Sequence, residues 1–202
     1  MRRGHAVHMS DQVLWYATRA AGAVSLLLLS GVVMLGIASR MRVEGRRWPR
    51  FLTAAVHRDL SLLALVFLTL HIVTAVVDPF THLGLVALVP FASYYRPLWL
   101  GFGAVAVELM VAITVTSLLR TRIGARAWRA LHWLAYLSWP VAVLHGIGTG
   151  TDSGSLWMVP IDVIAVGGVA AMLCWRLVAA PADPLADERR AAMRRASGGA
   201  AS

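Results

Sequence analysis

The sequence is poor in the residues on which disulfide-linked and metal–thiolate proteins depend. It contains one cysteine, Cys174, which excludes a disulfide framework, a thiol redox pair and a four-cysteine zinc or iron–sulfur site. It has no lysine, so all 19 basic residues are arginine. Charged residues make up only 14% of the 202 residues, against about 25% in a typical soluble domain, and 58% are hydrophobic. This deficit of charge predicts an integral membrane protein.

The net charge of +9 would suggest a nucleic-acid surface in a more polar chain. Here the arginines are embedded in a chain too apolar for that class of protein, so the lipid membrane is the expected partner and nucleic acid is not. One domain is expected from the length of the chain.

Five apolar stretches can cross a hydrocarbon core of about 30 Å, which requires about 20 helical residues. The first is too long for the apolar region of a signal peptide, about 7–15 residues, so it is expected to be retained. The sequence therefore predicts an all-α integral membrane bundle of five transmembrane helices within residues 13–178. The stretches are residues 14–38, 51–77, 98–119, 131–147 and 156–178.

The arginines predict the orientation of this bundle, because cytoplasmic loops are enriched in basic residues. Fifteen of the 19 arginines lie in or beside the first and third loops or after the fifth stretch. This places the N-terminus outside and the C-terminus in the cytoplasm of a bacterial inner (plasma) membrane. Residues 1–12 would form an extracytoplasmic segment, and residues 179–202, rich in alanine and arginine, a mobile cytoplasmic tail.

Four of the seven histidines lie inside the apolar stretches. His57 and His71 are 14 residues apart on the second helix, and His132 and His145 are 13 apart on the fourth. Both helices run outward and rise about 1.5 Å per residue, so His57 matches the depth of His132 and His71 that of His145. An ionisable side chain inside a bilayer is costly, which makes all four candidates for a functional site.

Two imidazoles that face each other between helices can occupy both axial positions of a haem iron. Such ligation leaves no open position and suits electron transfer better than oxygen binding. The two pairs therefore predict two b-type haems, one in each leaflet. In an ideal helix, 13 residues would place His145 on a face about 140° away from His132. For both to face the second helix, the fourth helix is expected to be bent or overwound near Pro140.

Arginines near these depths are candidates for binding the haem propionates, because a guanidinium pairs bidentately with a carboxylate. Arg19 in the first helix either binds a propionate or forms an ion pair with Asp162 in the fifth. Arg96 is an outer candidate, and Arg58 and Arg129 are inner ones. Each of these last three is equally compatible with contact to solvent or lipid headgroups.

Glu108 lies in the middle of the third helix, where it is either protonated and hydrogen-bonded to a neighbouring helix or part of a proton path. The alternative function is therefore a small proton or metal transporter that uses the intramembrane histidines and Glu108. Trp139 and Phe67 lie between the two histidine depths, either as packing residues or beside an electron path. A purely structural membrane protein would tolerate loss of all four histidines.

The segments around the histidines resemble the ferric reductase-like transmembrane domain family, which includes NADPH oxidases, ferric reductases and the haem-bearing membrane subunit of the bacterial methionine sulfoxide reductase system. The resemblance implies a helical bundle over residues 13–178 that holds two b-type haems and passes electrons outward. Members commonly have six helices, against five found here, and the additional one would precede Leu14. The resemblance is carried by the histidine spacings and by residues 57–62, 128–133, 15–22 and 95–101.

The oxidases of this family also carry a cytoplasmic flavin and nicotinamide domain. The glycine-rich run at residues 146–150 follows a membrane helix rather than a strand, so it is not a dinucleotide fingerprint. The expected electron donor is therefore a separate flavin reductase, with flavin on that partner, or a quinol. The expected acceptor is extracytoplasmic: a flavoprotein, ferric iron or oxygen. The sequence thus predicts a di-haem b electron-transfer component of an oxidoreductase.

Overall fold

The computed structural model describes residues 2–41, 50–79, 83–151 and 153–179, with residues 2–12 and 50 in their backbone only. These residues contain α-helices and one short 3-10 helix and no strand, which confirms the all-α class. The predicted tail, apart from residue 179, lies outside them. The helices are α1 (Arg2–Arg40), α2 (Arg50–Val77), α3 (Pro97–Leu118), α4 (Arg120–His132), α5 (Leu134–Thr149) and α6 (Met158–Val178), and the 3-10 helix is Gly84–Leu88.

Within the described residues, four segments are long and apolar enough to cross a membrane: Val13–Arg40, Phe51–Val77, Pro97–Leu118 and Met158–Val178. They correspond to the first, second, third and fifth predicted stretches. The fourth stretch is instead divided between the end of α4 and α5. Since α5 has 16 residues, its length of about 24 Å falls short of the hydrocarbon thickness.

The surface of the bundle is apolar, as expected for helices that face lipid. Leu62, Val66 and Val73 of α2 are each half exposed or more. In water such a surface would be an aggregation site, whereas hydrocarbon solvates it without cost.

A change of helical path is present between His132 and His145, as predicted, but it lies seven residues before Pro140. It falls at Trp133, where the chain makes i to i+3 hydrogen bonds: Trp133 N–H donates to the Ala130 carbonyl over 3.3 Å, and Tyr136 N–H donates to the Trp133 carbonyl over 3.0 Å. Such 3-10 turns wind more tightly than an α-helix and rotate the following residues further round the axis. Pro140 lies inside the continuous helix α5.

Helix α1 lies at the centre of the bundle and packs against α2, α5 and α6, while α3 packs against α4, α5 and the 3-10 helix. Among the described elements, α2 and α5 do not pack extensively against each other. The two helices that carry His71 and His145 are therefore held apart by their common neighbour α1, and a gap remains between them.

Trp139 joins α5 to α1 between the two histidine depths. Its indole Nε1 donates a hydrogen bond to Ser30 Oγ over 2.8 Å, and Ser30 is almost fully buried. The indole also packs against a buried cluster formed by Leu26, Val143 and Ala165. This favours the packing interpretation of Trp139.

Trp139→Phe is expected to lower the thermal unfolding midpoint of the detergent-purified protein by a few degrees. The substitution removes a buried hydrogen bond and leaves a small cavity, together about 1–3 kcal/mol. Trp157→Phe is the matched control, because Trp157 is 47% exposed. Equal midpoints for the two variants would contradict the assigned role of Trp139.

Candidate functional site

The structure brings the four intramembrane histidines together as two facing pairs. The ring centroids of His57 and His132 are 6.3 Å apart, with an angle of 65° between the ring planes. Those of His71 and His145 are 6.2 Å apart, with an angle of 74°. Each pair joins α2 to the α4–α5 segment at one of the two depths. These pairs are called the inner pair (His57 and His132) and the outer pair (His71 and His145).

Both histidines of the outer pair are oriented by a backbone carbonyl of a neighbouring helix. His71 Nδ1 donates to the Thr18 carbonyl over 2.8 Å, and His145 Nδ1 donates to the Trp99 carbonyl over 2.9 Å. A carbonyl oxygen can only accept, so Nδ1 carries the proton and Nε2 keeps its lone pair. This is the hydrogen bonding found behind metal-bound histidines, where it fixes the tautomer and the ring orientation.

A glycine makes each of these carbonyls accessible. A Cβ atom at Gly22 would lie 3.0 Å from the His71 ring, and one at Gly103 would lie 2.5 Å from His145 Nδ1. Gly22 and Gly103 each lie four residues after the residue whose carbonyl is used. Since a helical carbonyl points toward the residue four positions on, the absence of a side chain there admits the imidazole.

A glycine of α1 also faces the histidine of α2 at the inner level, without the hydrogen bond found at the outer level. A Cβ atom at Gly36 would lie 3.7 Å from His57 Cε1, and the Val32 backbone lies beside the His57 ring. Gly22 and Gly36 are 14 residues apart, the same spacing as His57 and His71. One helix face thus receives both histidines of α2.

The inner pair differs from the outer pair in its hydrogen bonding. The Nδ1 atoms of His57 and His132 are buried, and neither has a hydrogen-bond partner among the described residues. His132 is held by the Trp128 ring, which stacks on it at 5.2 Å. Trp128 Nε1 donates in turn to Ser117 Oγ over 3.4 Å. Stacking and a glycine contact therefore orient the inner pair.

The outer pair lines a cavity of about 440 Å³, a volume typical of small-molecule sites, which span about 300–1,000 Å³. Its wall includes Gly22 and Gly103 and, at its polar end, Arg19. The inner pair does not line this cavity. His71 and His145 therefore border a space large enough for a small-molecule ligand.

The separation of the rings fits an iron atom between them. Two coaxial imidazoles that bind one metal at about 2.0 Å through Nε2 have ring centroids about 6.3 Å apart. The observed separations are 6.3 Å and 6.2 Å. The outer pair, with its glycines and the cavity beside it, therefore fits bis-histidine haem ligation, whereas the inner pair shares the ring separation but not the cavity.

The two outer arginine candidates take different positions. Arg19 lines the cavity, donates to Thr151 Oγ1 over 2.6 Å and lies 4.5 Å from the Trp15 ring centre. Arg96 has a left-handed backbone at the start of α3 and donates to the Gly148 carbonyl over 2.7 Å, so it ties α3 to the end of α5.

The remaining charged candidates lie on exposed surfaces. Arg58 donates to Asp59 over 3.0 Å, and their side chains are 73% and 65% exposed. Arg129 is exposed, as is Glu108, which does not line the cavity. Within the described ranges no three His, Cys, Asp or Glu residues group as a metal site. The structure therefore does not bring Glu108 together with the histidines.

Sequence reasoning missed the groups that orient the histidines. Thr18 and Trp99 act through their backbone carbonyls, which no side-chain pattern reveals. The glycines did leave a signal: the 14-residue spacing of Gly22 and Gly36 repeats that of the histidines on the next helix.

The fold is that of a multi-pass helical membrane protein in which four histidines form two facing pairs. A family model, described as ferric reductase like transmembrane component, matches residues 21–144, more than half of the chain. The chain therefore belongs to the ferric reductase-like transmembrane family, which confirms the resemblance seen in the sequence. His145 lies one residue beyond the matched range.

A curated relative is the protein-methionine-sulfoxide reductase heme-binding subunit MsrQ of Ralstonia nicotianae. It is 28% identical over 137 residues, which cover 65% of this chain and 58% of that protein. The chain thus matches less than two thirds of the length of this relative. No solved structure matches the chain.

Proposed function

We propose that this protein is a di-haem b membrane subunit that carries electrons across a bacterial plasma membrane. His57 and His132 would ligate the inner haem iron, and His71 and His145 the outer one. The observation that carries the proposal is the pair of facing imidazoles at each depth, with centroids 6.3 Å and 6.2 Å apart. The family match and the heme-binding name of the relative support it.

A b-type haem supplies a one-electron redox centre when it is bound. The protein would then hold the histidines in place and prevent oxygen from binding to the iron. The carbonyls of Thr18 and Trp99 keep Nδ1 of His71 and His145 protonated and direct Nε2 into the cavity. A hydrogen bond of this kind also makes the imidazole a stronger donor to a metal. If both histidines of a pair bind the iron, they would leave no coordination position for oxygen.

The arginines at the outer end would bind the propionate carboxylates. Arg19 lines the cavity beside the outer pair, where a guanidinium can form a bidentate, charge-assisted pair with a carboxylate. Arg96 is the second candidate at the outer end of the bundle. Its hydrogen bond to the Gly148 carbonyl holds it between the start of α3 and the last turn of α5.

The proposed topology has five crossings, with the N-terminus outside and the C-terminus in the cytoplasm. α5 would complete the additional crossing together with the last turns of α4, since His132 and His145 lie at different depths on this segment. The transmembrane haem domain comprises residues 13–178, preceded by an extracytoplasmic segment at residues 1–12 and followed by a cytoplasmic tail at residues 179–202. Fifteen arginines on the cytoplasmic side support this orientation.

Electrons would enter from a separate cytoplasmic flavin reductase or from a quinol, and leave to an acceptor at the outer face. Flavoprotein, ferric iron and oxygen are candidate acceptors. Because the relative is named as a subunit of a protein-methionine-sulfoxide reductase, a separate reductase subunit is another.

Protein purified after expression with ample haem is expected to show a b-type spectrum and two haems per chain. His71→Ala and His145→Ala should each remove the outer haem, and His57→Ala and His132→Ala the inner one, so that each variant retains one. Haem absorbance per mole of protein measures this. His82→Ala is the control, because the sequence places His82 in a loop.

Absence of a Soret band, or two haems retained in every histidine variant, would contradict the proposed ligation. Proton or metal transport in liposomes by a protein without a reducible chromophore would favour the alternative transporter, which also requires Glu108.

Gly103→Ala is expected to reduce occupancy of the outer haem site. The new methyl group would lie 2.5 Å from His145 Nδ1, so the imidazole must move away from the Trp99 carbonyl. Gly167→Ala is the matched control, because a Cβ there meets no atom within 4 Å. Haem content per chain is the measurement, and an unchanged value in Gly103→Ala would refute the docking role of this glycine.

Reporter fusions test the five-crossing topology. Green fluorescent protein should fluoresce at Gly124 and at the C-terminus, and alkaline phosphatase should be active at Gly154. If Gly124 and Gly154 report the same side of the membrane, α5 does not cross it.

A further inference from the structure

Two arginines from different helices converge on one tryptophan at the inner end of the bundle. Arg40 lies in the last turn of α1 and Arg176 in the last turn of α6. Their guanidinium carbons lie 5.8 Å and 5.7 Å from the centre of the Trp133 ring. Arg176 also donates to the Tyr136 hydroxyl over 3.5 Å. Both guanidinium groups are thus held against the same indole ring.

This cluster adjoins the inner histidine pair. Trp133 directly follows His132, and Arg40 is close enough to His132 to interact with it electrostatically. Arg40 also lies four residues after Gly36, the glycine that faces His57. Residues four apart share a helix face and differ by about 6 Å along the axis. Arg40 therefore lies one turn beyond the inner pair, on the face of α1 that receives His57.

The charge of this cluster is not balanced by acidic side chains in the described part of the chain. Among the described residues, Arg58 and Asp59 form an ion pair, whereas no described carboxylate lies within 4.0 Å of Arg40 or Arg176. An aromatic face offsets a cation only in part, and it leaves the donors in the guanidinium plane available. Each of the two guanidinium groups can therefore donate hydrogen bonds to a carboxylate.

We propose that Arg40 and Arg176 bind the propionate carboxylates of the inner haem, the group ligated by His57 and His132. This inference rests on the proposed function and assigns that site two residues beyond its ligands. The outer level offers a parallel, since Arg19 lies 4.5 Å from the Trp15 ring beside the outer pair. At both levels an arginine of α1 is held over a tryptophan near the membrane boundary.

The phosphate of an anionic lipid headgroup presents the same chemistry as a propionate to an arginine pair at this depth. The two sources of anion are separated by the composition of the vesicles in which the protein is measured. If the arginines bind propionates, their substitution has an effect in vesicles of zwitterionic phosphatidylcholine alone. If they bind anionic headgroups, the effect requires phosphatidylglycerol.

The test uses Arg40→Gln, Arg176→Gln and the double variant in phosphatidylcholine vesicles, with Arg126→Gln, an exposed arginine of α4, as the control. Redox titration followed by absorbance resolves the two haems, and the inner one is the component absent from His57→Ala. Loss of a cation beside its propionates should lower the midpoint potential of the inner haem. Haem transfer from the inner site to an apoprotein acceptor should accelerate on the order of tenfold in the double variant. The unchanged outer haem reports correct folding.

An unchanged inner potential and transfer rate in the double variant would overturn the proposal. So would an effect that appears only with phosphatidylglycerol, which would assign the arginines to lipid headgroups. A wild-type protein that lacks the inner haem overturns both this inference and the proposed function. A wild-type protein with two haems and insensitive arginine variants overturns this inference alone.

Discussion

The architecture of the bundle depends on how a buried imidazole is satisfied in a membrane. Water cannot hydrogen-bond to it there, and most backbone carbonyls are shielded by the side chain one turn later. Glycines on α1 and α3 remove that side chain at the positions where His71 and His145 arrive. The resulting bonds to Thr18 and Trp99 fix the rings and the contacts of α1 with α2 and of α3 with α5 at the same time. The same hydrogen bond therefore sets both the orientation of the imidazole and the packing of its helix.

The pairing of the histidines could be predicted from the sequence because the rise of a helix is nearly constant. Spacings of 14 and 13 residues on helices that run in the same direction already place His57 with His132 and His71 with His145 in depth. The all-α class and four of the spans followed from apolar length in the same way. These features depend on helix rise and on the length of apolar stretches, and both can be read from the sequence.

Other features depend on tertiary contacts and could not be predicted. Proline rules indicated a bend at Pro140, whereas the helix tightens at Trp133, where two arginines contact the indole. Arg58 and Arg129 had the right depth for the inner site, but they lie on an exposed surface, and Arg40 shares the face that contacts His57. Which side of a helix a residue occupies relative to its neighbours is decided by packing, and periodicity alone does not determine it.

The gap between α2 and α5 makes the stability of the bundle subject to ligand linkage. Since α2 gains little from α5 directly, any group that fills the gap adds its binding free energy to the folded state, in proportion to the logarithm of its concentration over its dissociation constant. Folding and the binding of such a group would then be linked equilibria. The supply of the group would affect how much of the chain escapes proteolysis.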